Sequence, residues 1–400
     1  MKIFAKSYSQ KWTNVQISNP DHSEGGSEGR VYFSDDGLSC VKILKKSARD
    51  KRKIDKLKLM LDPKFDKLRN LSVNGSTVCW PISTAHEAKD DNPIGYIMPL
   101  IKESVPLDSI FAKSNATAKL AELDDRIFIA GLLSLLVFRL HTAGAIVGDF
   151  NPANIRLQKP TKKSAWNVHI IDTDSFQLTD RRRTLTSDIG RDLYSSPRLL
   201  EQQKSSKSAN YGWAGLKRKK EDDEYALAIL IFQILLLIHP MKIKGKSISK
   251  NMGNKVFAYT GTKSKLPTNA PLSKFEALPQ IIQKMFSDTF ENVTTYRARD
   301  WVHAINDLEK EPVITKLRKE FQEFSSPWSD PNKTTSKNEP KVTIETSPDY
   351  NPTTTPFSKT ISQPTPVKDS LISTIGKFIY KSLGVLLIIY IIYFILSAIF

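Results

Sequence analysis

The pattern of apolar and polar positions changes character near residue 101. Between about residues 21 and 101 the apolar residues come in short, alternating runs. Residues 31–33 and 39–44 read as strands, joined by Asp35-Asp36-Gly37, a hairpin-type turn. A basic amphipathic helix is predicted over 48–61, with Ile54, Leu57 and Leu61 on one face. Residues 79–82 and 94–100 read as two further strands. Beyond 101 the period becomes helical. Residues 124–140 form an apolar helix, and 223–238 are apolar on every side, which requires burial. Residues 275–308 read as closing helices. From about 326 to 365 the chain is rich in Thr, Ser, Pro and Lys with few apolar residues, the composition of a disordered tether. No internal repeat is present. A small β-rich part followed by a larger helical part predicts an α+β fold.

The end of the sequence departs from all of this. Leu383 to Phe400 carries no charge and is crowded with Leu, Ile, Val, Tyr and Phe. As a helix it would be about 27 Å long at about 1.5 Å per residue, close to the roughly 30 Å of a bilayer's hydrocarbon core. Lys377 and Lys381 flank it on the N-terminal side only, so the preceding residues are expected on the cytosolic side. Met1 to Trp12 contains no apolar run of signal-peptide length.

Composition adds three points. A chain of 400 residues exceeds one compact core, and 40% hydrophobic with 25% charged residues means that most of it should fold. Fifty-nine basic against 42 acidic side chains give a net charge of +17. Such a balance favours anionic partners, whether acidic lipid, nucleic acid or acidic protein, and also serves solubility. Cys40 and Cys79 stand in apolar contexts and read as reduced core thiols of a cytosolic domain.

The chemistry is concentrated between residues 147 and 174. Val147-Gly148-Asp149-Phe150-Asn151-Pro152-Ala153-Asn154 is followed, at the end of an apolar strand, by Ile170-Ile171-Asp172-Thr173-Asp174. Phosphoryl transfer uses such a set. One carboxylate accepts the substrate hydroxyl proton, while a carboxamide and a second carboxylate hold Mg²⁺ against the nucleotide phosphates. Singly, Asn151-Pro152 would be an Asx turn and Asp172 a strand-end acid; together, behind Leu140-His141-Thr142-Ala143-Gly144, they point to catalysis.

The segment resembles the protein-kinase catalytic loop and its Asp-Phe-Gly motif, and the resemblance extends over about residues 24–307. It implies a two-lobed kinase-like fold, with an N-lobe over 1–101 and a C-lobe over 102–325; composition and hydropathy add a Pro/Ser/Thr-rich linker over 326–375 and a transmembrane tail anchor over 376–400. The resemblance implies ATP and Mg²⁺ as cofactors. Asp149 becomes the catalytic aspartate, with Asn154 and Asp172 as the metal ligands. Gly26 and Gly29, with Val31, fit the last two glycines and the valine of a Gly-rich loop, the first glycine being Glu24. Cys40-Val41-Lys42 fits the strand of the ATP lysine, and Lys42, between Val41 and Ile43, should point into the cleft. The partner acid of that lysine is expected on the next helix, where Asp55 is the choice. Met98, Pro99 and Ile101 fall where adenine is received, and Asp223 fits the buried helix aspartate that braces the catalytic loop.

The departures narrow the reading. Val147-Gly148 replaces the His-Arg before the catalytic aspartate, which removes the usual anchor for an activation-segment phosphate. Asp174 becomes a possible extra metal-facing carboxylate. Ser196-Pro197-Arg198 resembles Ala-Pro-Glu with an arginine in place of the acid, and its usual arginine partner falls at Thr295. That ion pair is expected to be absent. The motifs Trp80-Pro81, Gly95-Tyr96-Ile97-Met98-Pro99, Gly148-Asp149-Phe150-Asn151-Pro152, Asp172-Thr173-Asp174-Ser175-Phe176 and His239-Pro240 resemble a divergent, mainly bacterial kinase family. Some of its members carry helix-hairpin-helix DNA-binding modules. No such module is readable here, so no specific nucleic-acid binding is expected. The expectation is a Ser/Thr protein kinase acting on a protein substrate and tethered to a membrane, its catalytic domain in the cytosol. The alternatives are a pseudokinase scaffold and a small-molecule phosphotransferase.

Overall fold

A computed structural model describes residues 1–18, 24–25, 28–111, 122–161, 165–180, 183–205, 212–261, 263–291, 293–310 and 312–322. Gly26, the linker and the apolar tail lie outside the described residues. Among the described residues, no helix is long and apolar enough to cross a membrane.

The described strands are β1 (Lys2–Lys6), β2 (Trp12–Gln16), β3 (Glu24–Gly25), β4 (Gly29–Phe33), β5 (Ser39–Leu44), β6 (Ser72–Val73), β7 (Ser76–Val78), β8 (Ser83–His86), β9 (Gly95–Pro99), β10 (Ser104–Pro106), β11 (Ile155–Gln158), β12 (Asn167–Ile170), β13 (Leu178–Asp180) and β14 (Arg183–Leu185). The helices are α1 (Lys51–Met60), α2 (Asp66–Arg69), α3 (Leu123–Thr142), α4 (Pro197–Ser205), α5 (Lys220–Leu236), α6 (Ile248–Gly253), α7 (Leu272–Ala277), α8 (Gln280–Phe290), α9 (Ala298–Asn306) and α10 (Val313–Gln322). The architecture is mixed, a curled β-rich N-terminal part followed by a helical part.

Seven antiparallel strands form the first sheet in the order β2-β1-β8-β9-β5-β4-β3. The strand period of two sorts β5 between two cores. Val41 joins Ile3, Ala5, Ile17 and Ile97 on one face, while Cys40 and Leu44 join the main core with Tyr96 and Met98. Lys42 therefore lies on the face of Cys40, directly across from Tyr96 on β9. Gly29 is set inside β4, where an added Cβ would stand 2.4 Å from the Ile43 carbonyl oxygen. Its small size lets β4 and β5 approach each other.

The second sheet runs β10-β11-β12-β7-β6 and joins the two parts of the chain, because β7 pairs in parallel with β12. Residues 79–82 were expected as a strand; they are instead the crossing between sheets. Cys79 still donates to Ile170 at 2.8 Å and Ile82 to Ile97 at 2.8 Å, but Pro81 between them has no N–H to continue a ladder. The hairpin β1–β2 at the N-terminus gave no clear alternation in the sequence and is secured by its register with β8.

In the helical part, α5 is buried at every position from Asp222 to Leu236, as its apolar surface demanded. It packs beside α3 and α8. Phe232 stands in an aromatic cluster with Phe257, Tyr259, Phe275, Phe286 and Phe290, all with ring centroids within 6.1 Å of it. Truncating such a ring costs about 3–5 kcal/mol, so this cluster holds α5 in place, and with it Asp222 and Asp223 in its first turn.

Candidate active site

A cleft of about 450 Å³ opens between the first sheet and the β10–β12 sheet. Val31, Cys40, Met98, Pro99, Ile101 and Asp172 are among its lining residues. Five residues expected to bind the nucleotide, three of them at the adenine, thus share one cavity with one of the expected metal ligands. Leu100, next to Ile101, donates its N–H to Leu38 at 3.1 Å, which holds the β9 exit against the β4–β5 turn.

Behind Asp172, which lines the cleft, the buried Lys42 ammonium lies 2.9 Å from Asp174 and 3.2 Å from Asp172. Lys42 and Asp174 are almost fully buried, whereas a third of the Asp172 side chain is exposed. Asp174 also accepts the Tyr96 hydroxyl at 2.8 Å and lies 3.4 Å from Lys53. Burial alone would push Asp174 up, yet Lys42 and Lys53 hold its carboxyl well below the usual carboxylate range. Burial would push Lys42 down, and the same carboxylates raise it instead. Asp172 is shifted upward by burial, against the pull of Lys42 and with the push of Asp174.

Asp174, at 3% exposure, accepts from Lys42 and from the Tyr96 hydroxyl and has Lys53 at 3.4 Å, while its Oδ2 has no hydrogen-bond partner among the described residues. One expectation is corrected here. Asp55 is not the partner of Lys42. It pairs with Lys51 at 3.0 Å on the outer face of α1 and reaches Arg183 at 4.0 Å. The helical repeat is the reason. Asp50 caps α1 by accepting the Lys53 N–H at 2.8 Å, and from that start Lys53 and Lys56 turn inward while Asp55, two positions after Lys53, turns away. The Asp174 and Tyr96 contributions were not legible in the sequence. The register Lys42↔Tyr96 is a product of strand pairing, and nothing local announces it.

The catalytic loop is built around Asp149. Asn154 donates its Nδ2 to the Asp149 carbonyl at 2.9 Å and to its Oδ2 at 3.1 Å, while Asn151 donates to the same carbonyl at 3.1 Å. The Asp149 Oδ1 is buried without a hydrogen-bond partner among the described residues, an acceptor left over for a hydroxyl. Burial raises the Asp149 pKa, opposed by the charges of Arg191 and Arg218 and by the two asparagines. Gly148 has φ +81°, and a Cβ there would stand 2.8 Å from the Ser175 carbonyl oxygen, so only glycine suits this turn.

Asp223, at the head of α5, accepts the N–H of Val147 at 2.7 Å and of Gly148 at 3.1 Å, and the His141 ring lies 3.0 Å away. Burial would lower His141; hydrogen bonds and charge from Asp223 and Glu224 outweigh it and push the ring up to about 9.

The donors that remain fit Mg²⁺. Asn154 uses its Nδ2 on Asp149, which leaves its Oδ1 as an acceptor, and Asp172 carries the partly exposed carboxylate of the cleft. Among the described residues no group of three His, Cys, Asp or Glu could hold a metal.

The pair expected to be missing below the activation segment exists with other members. Arg198 bonds Asp222 on α5, its Nε at 3.2 Å from Oδ1, and Asp222 also accepts the Ser196 hydroxyl and the Lys219 N–H.

No family model matches the chain. Over 304 residues, 72% of its length, it is 25% identical to protein kinase YegI of Escherichia coli strain K12 and, equally, to that of strain O157:H7. The chain is kinase-like. It spans 44% of the length of those relatives, and the identity is low enough that the charges around Lys42 and Arg198 have to be read from this chain itself.

Proposed function

We propose that this protein is an ATP- and Mg²⁺-dependent protein kinase that phosphorylates Ser or Thr of a protein substrate. One observation carries the reading: the Lys42 ammonium lies 3.2 Å from the part-exposed Asp172 at a cleft lined by Val31, Cys40, Met98 and Ile101, and the Ile171 N–H bonds the Asn154 carbonyl at 2.9 Å, which sets the Asp149–Asn154 pair beside the strand end that carries Asp172. An adenine ring suits Val31, Met98 and Ile101; a triphosphate suits Lys42. Lys42 holds the phosphates, and Asp149 orients the acceptor hydroxyl and takes its proton. Asn154 and Asp172 would hold the metal, which supplies charge neutralisation on the phosphate oxygens. Positioning and electrostatic stabilisation supply most of the rate in such transfers.

Thermal unfolding with and without Mg²⁺-ATP tests the reading, since a ligand bound only by the native state raises apparent stability. Wild type should shift upward, Lys42→Ala and Asp172→Ala much less. No shift in wild type would mean a scaffold that has lost nucleotide binding. Labelled ATP with a lysate then reports whether phosphate appears on protein Ser or Thr or on a small molecule.

The apolar tail supports a membrane tether. Lacking Leu383 to Phe400, the protein should move to the soluble fraction with its catalysis intact. Release of the full-length chain by alkaline carbonate without detergent would rule the anchor out.

A further inference from the structure

Helix α1 brings positive charge to the cleft where an acid was expected. Lys53 lies 2.6 Å from Glu28, the residue just before β4, and 3.4 Å from Asp174. Its side chain is 10% exposed and that of Glu28 17%. Glu28, Lys53, Asp174 and Lys42 thus form a row of alternating sign that runs from the edge of the first sheet, through α1, to the lysine of the cleft. Each member comes from a different element: the entry to β4, the first turns of α1, the turn after β12, and β5.

We propose that Lys53 is a positioning residue for the nucleotide, tying Glu28 and with it the start of β4 to α1 and keeping Asp174 fixed against Lys42. This rests on the reading of the cleft as the ATP site. Two observations support it beyond proximity. Val31 and Phe33, on the strand that Glu28 leads into, line the cleft, so a tie at Glu28 sets the height of its roof. The cap at Asp50 also fixes the first turn of α1, which sets where the Lys53 side chain starts. Buried charges are tolerated only when paired, and removing one partner leaves the others uncompensated. Without Lys53, Glu28 loses its ion-pair partner at 2.6 Å and Asp174 keeps Lys42 and the Tyr96 hydroxyl, with Lys56 the nearest remaining cation of α1. The roof then loosens, and the apparent ATP affinity should fall with little change in the step at Asp149.

The test uses the full chain and Mg²⁺-ATP as the probe, with calorimetric binding and steady-state kinetics side by side. Lys53→Met should weaken ATP binding about tenfold and raise KM for ATP to match, with kcat within about threefold; a charge-assisted bond of this kind is worth roughly that factor. Glu28→Gln, at a part-exposed site where folding is secure, should weaken binding in the same direction. The double variant should be no worse than the weaker single one, because both remove the same contact. Lys53→Arg should recover most of the affinity. Unchanged ATP affinity in Lys53→Met or in Glu28→Gln, with wild type binding normally, overturns the role of Lys53 alone. A loss of stability without a change in KM also overturns it. Failure of wild type to bind ATP removes the nucleotide site itself, and the role of Lys53 with it.

Discussion

The Nζ of Lys42 lies 2.9 Å from the Oδ1 of Asp174, and no acid of α1 approaches it. The counter-ion of the cleft lysine comes instead from the turn that also carries Asp172, two residues earlier in the chain. Lys42 therefore keeps an acid that does not come from α1, and α1 reaches it through the lysines that face Asp174, Lys53 at 3.4 Å and Lys56. The same exchange of partners recurs at Arg198, whose acid is Asp222 on the buried α5.

Asp149→Asn is expected to lower phosphoryl transfer by about 10²–10⁴ while leaving ATP affinity within a few-fold, because the residue meets the acceptor hydroxyl and not the nucleotide. In wild type the acid limb of kcat should lie above the ordinary carboxylate value, since burial raises Asp149. The charge of Arg191 opposes that rise, so Arg191→Ala should move the limb to still higher pH. A limb that stays in place in Arg191→Ala would separate Asp149 from the titrating group.

Phosphate on the activation segment should be dispensable. Residues 186–189 are already tied down by Lys56 on the Thr186 carbonyl at 3.4 Å, by Arg218 on the carbonyls of Ser187 at 3.3 Å and Ile189 at 2.6 Å, and by the Arg52–Asp188 pair. Thr186 and Ser187 are buried, which hinders a modifying enzyme. Phosphatase-treated protein with alanine at Thr184, Thr186 and Ser187 should keep its initial rate within about tenfold of wild type, the span of one lost charge-assisted contact. Arg181 and Arg182 lie outside the described residues, so a larger drop would assign them a phosphate to hold.

Asp222→Ala should destabilise the helical part by about 1–3 kcal/mol, read by denaturant unfolding, because it strips Arg198, the Ser196 hydroxyl and the Lys219 N–H of their acceptor at once. Arg198→Ala should cost less, since its side chain is one-third exposed and solvent replaces part of the pair. Equal losses would mean that Asp222 acts only through the arginine.

His141 should contribute a pH-dependent stability. Its folded value of about 9 lies above the unfolded value of 6.5, so its contribution is complete below about pH 6.5 and disappears as pH rises through about 9. Lys56 opposes this trend in wild type. Burial lowers it to about 7 from 10.5, and a lowered lysine adds stability as pH rises across that interval. The difference between wild type and His141→Gln isolates the histidine. The penalty of the substitution should be greater at pH 6 than at pH 9.5, by on the order of 3 kcal/mol. A penalty independent of pH would show the ring to be neutral throughout.

The sequence by itself determined the elements whose signals are local. The all-apolar α5 had nowhere to go but the interior, the Asp35-Asp36-Gly37 turn set the β4–β5 hairpin, and the alternation Cys40-Val41-Lys42-Ile43 placed Lys42 on the cleft face, because a strand has only two sides. The contact between Asp149 and Asn154 has a related origin, since five residues apart they meet within one turn of chain, and the β11–β12 hairpin then returns the chain so that Ile171 bonds Asn154 just before Asp172. Only the tertiary structure decided who pairs with whom. Asp55 and Asp174 are both acids within reach of the cleft in sequence terms, and the choice between them depended on the phase of α1 about its axis and on the turn after Asp172. Tyr96 entered the site through strand register, and Asp222 met Arg198 across a gap of 24 residues. Ion pairing is a matter of distance and burial, and both are set by packing between elements rather than by any pattern within one.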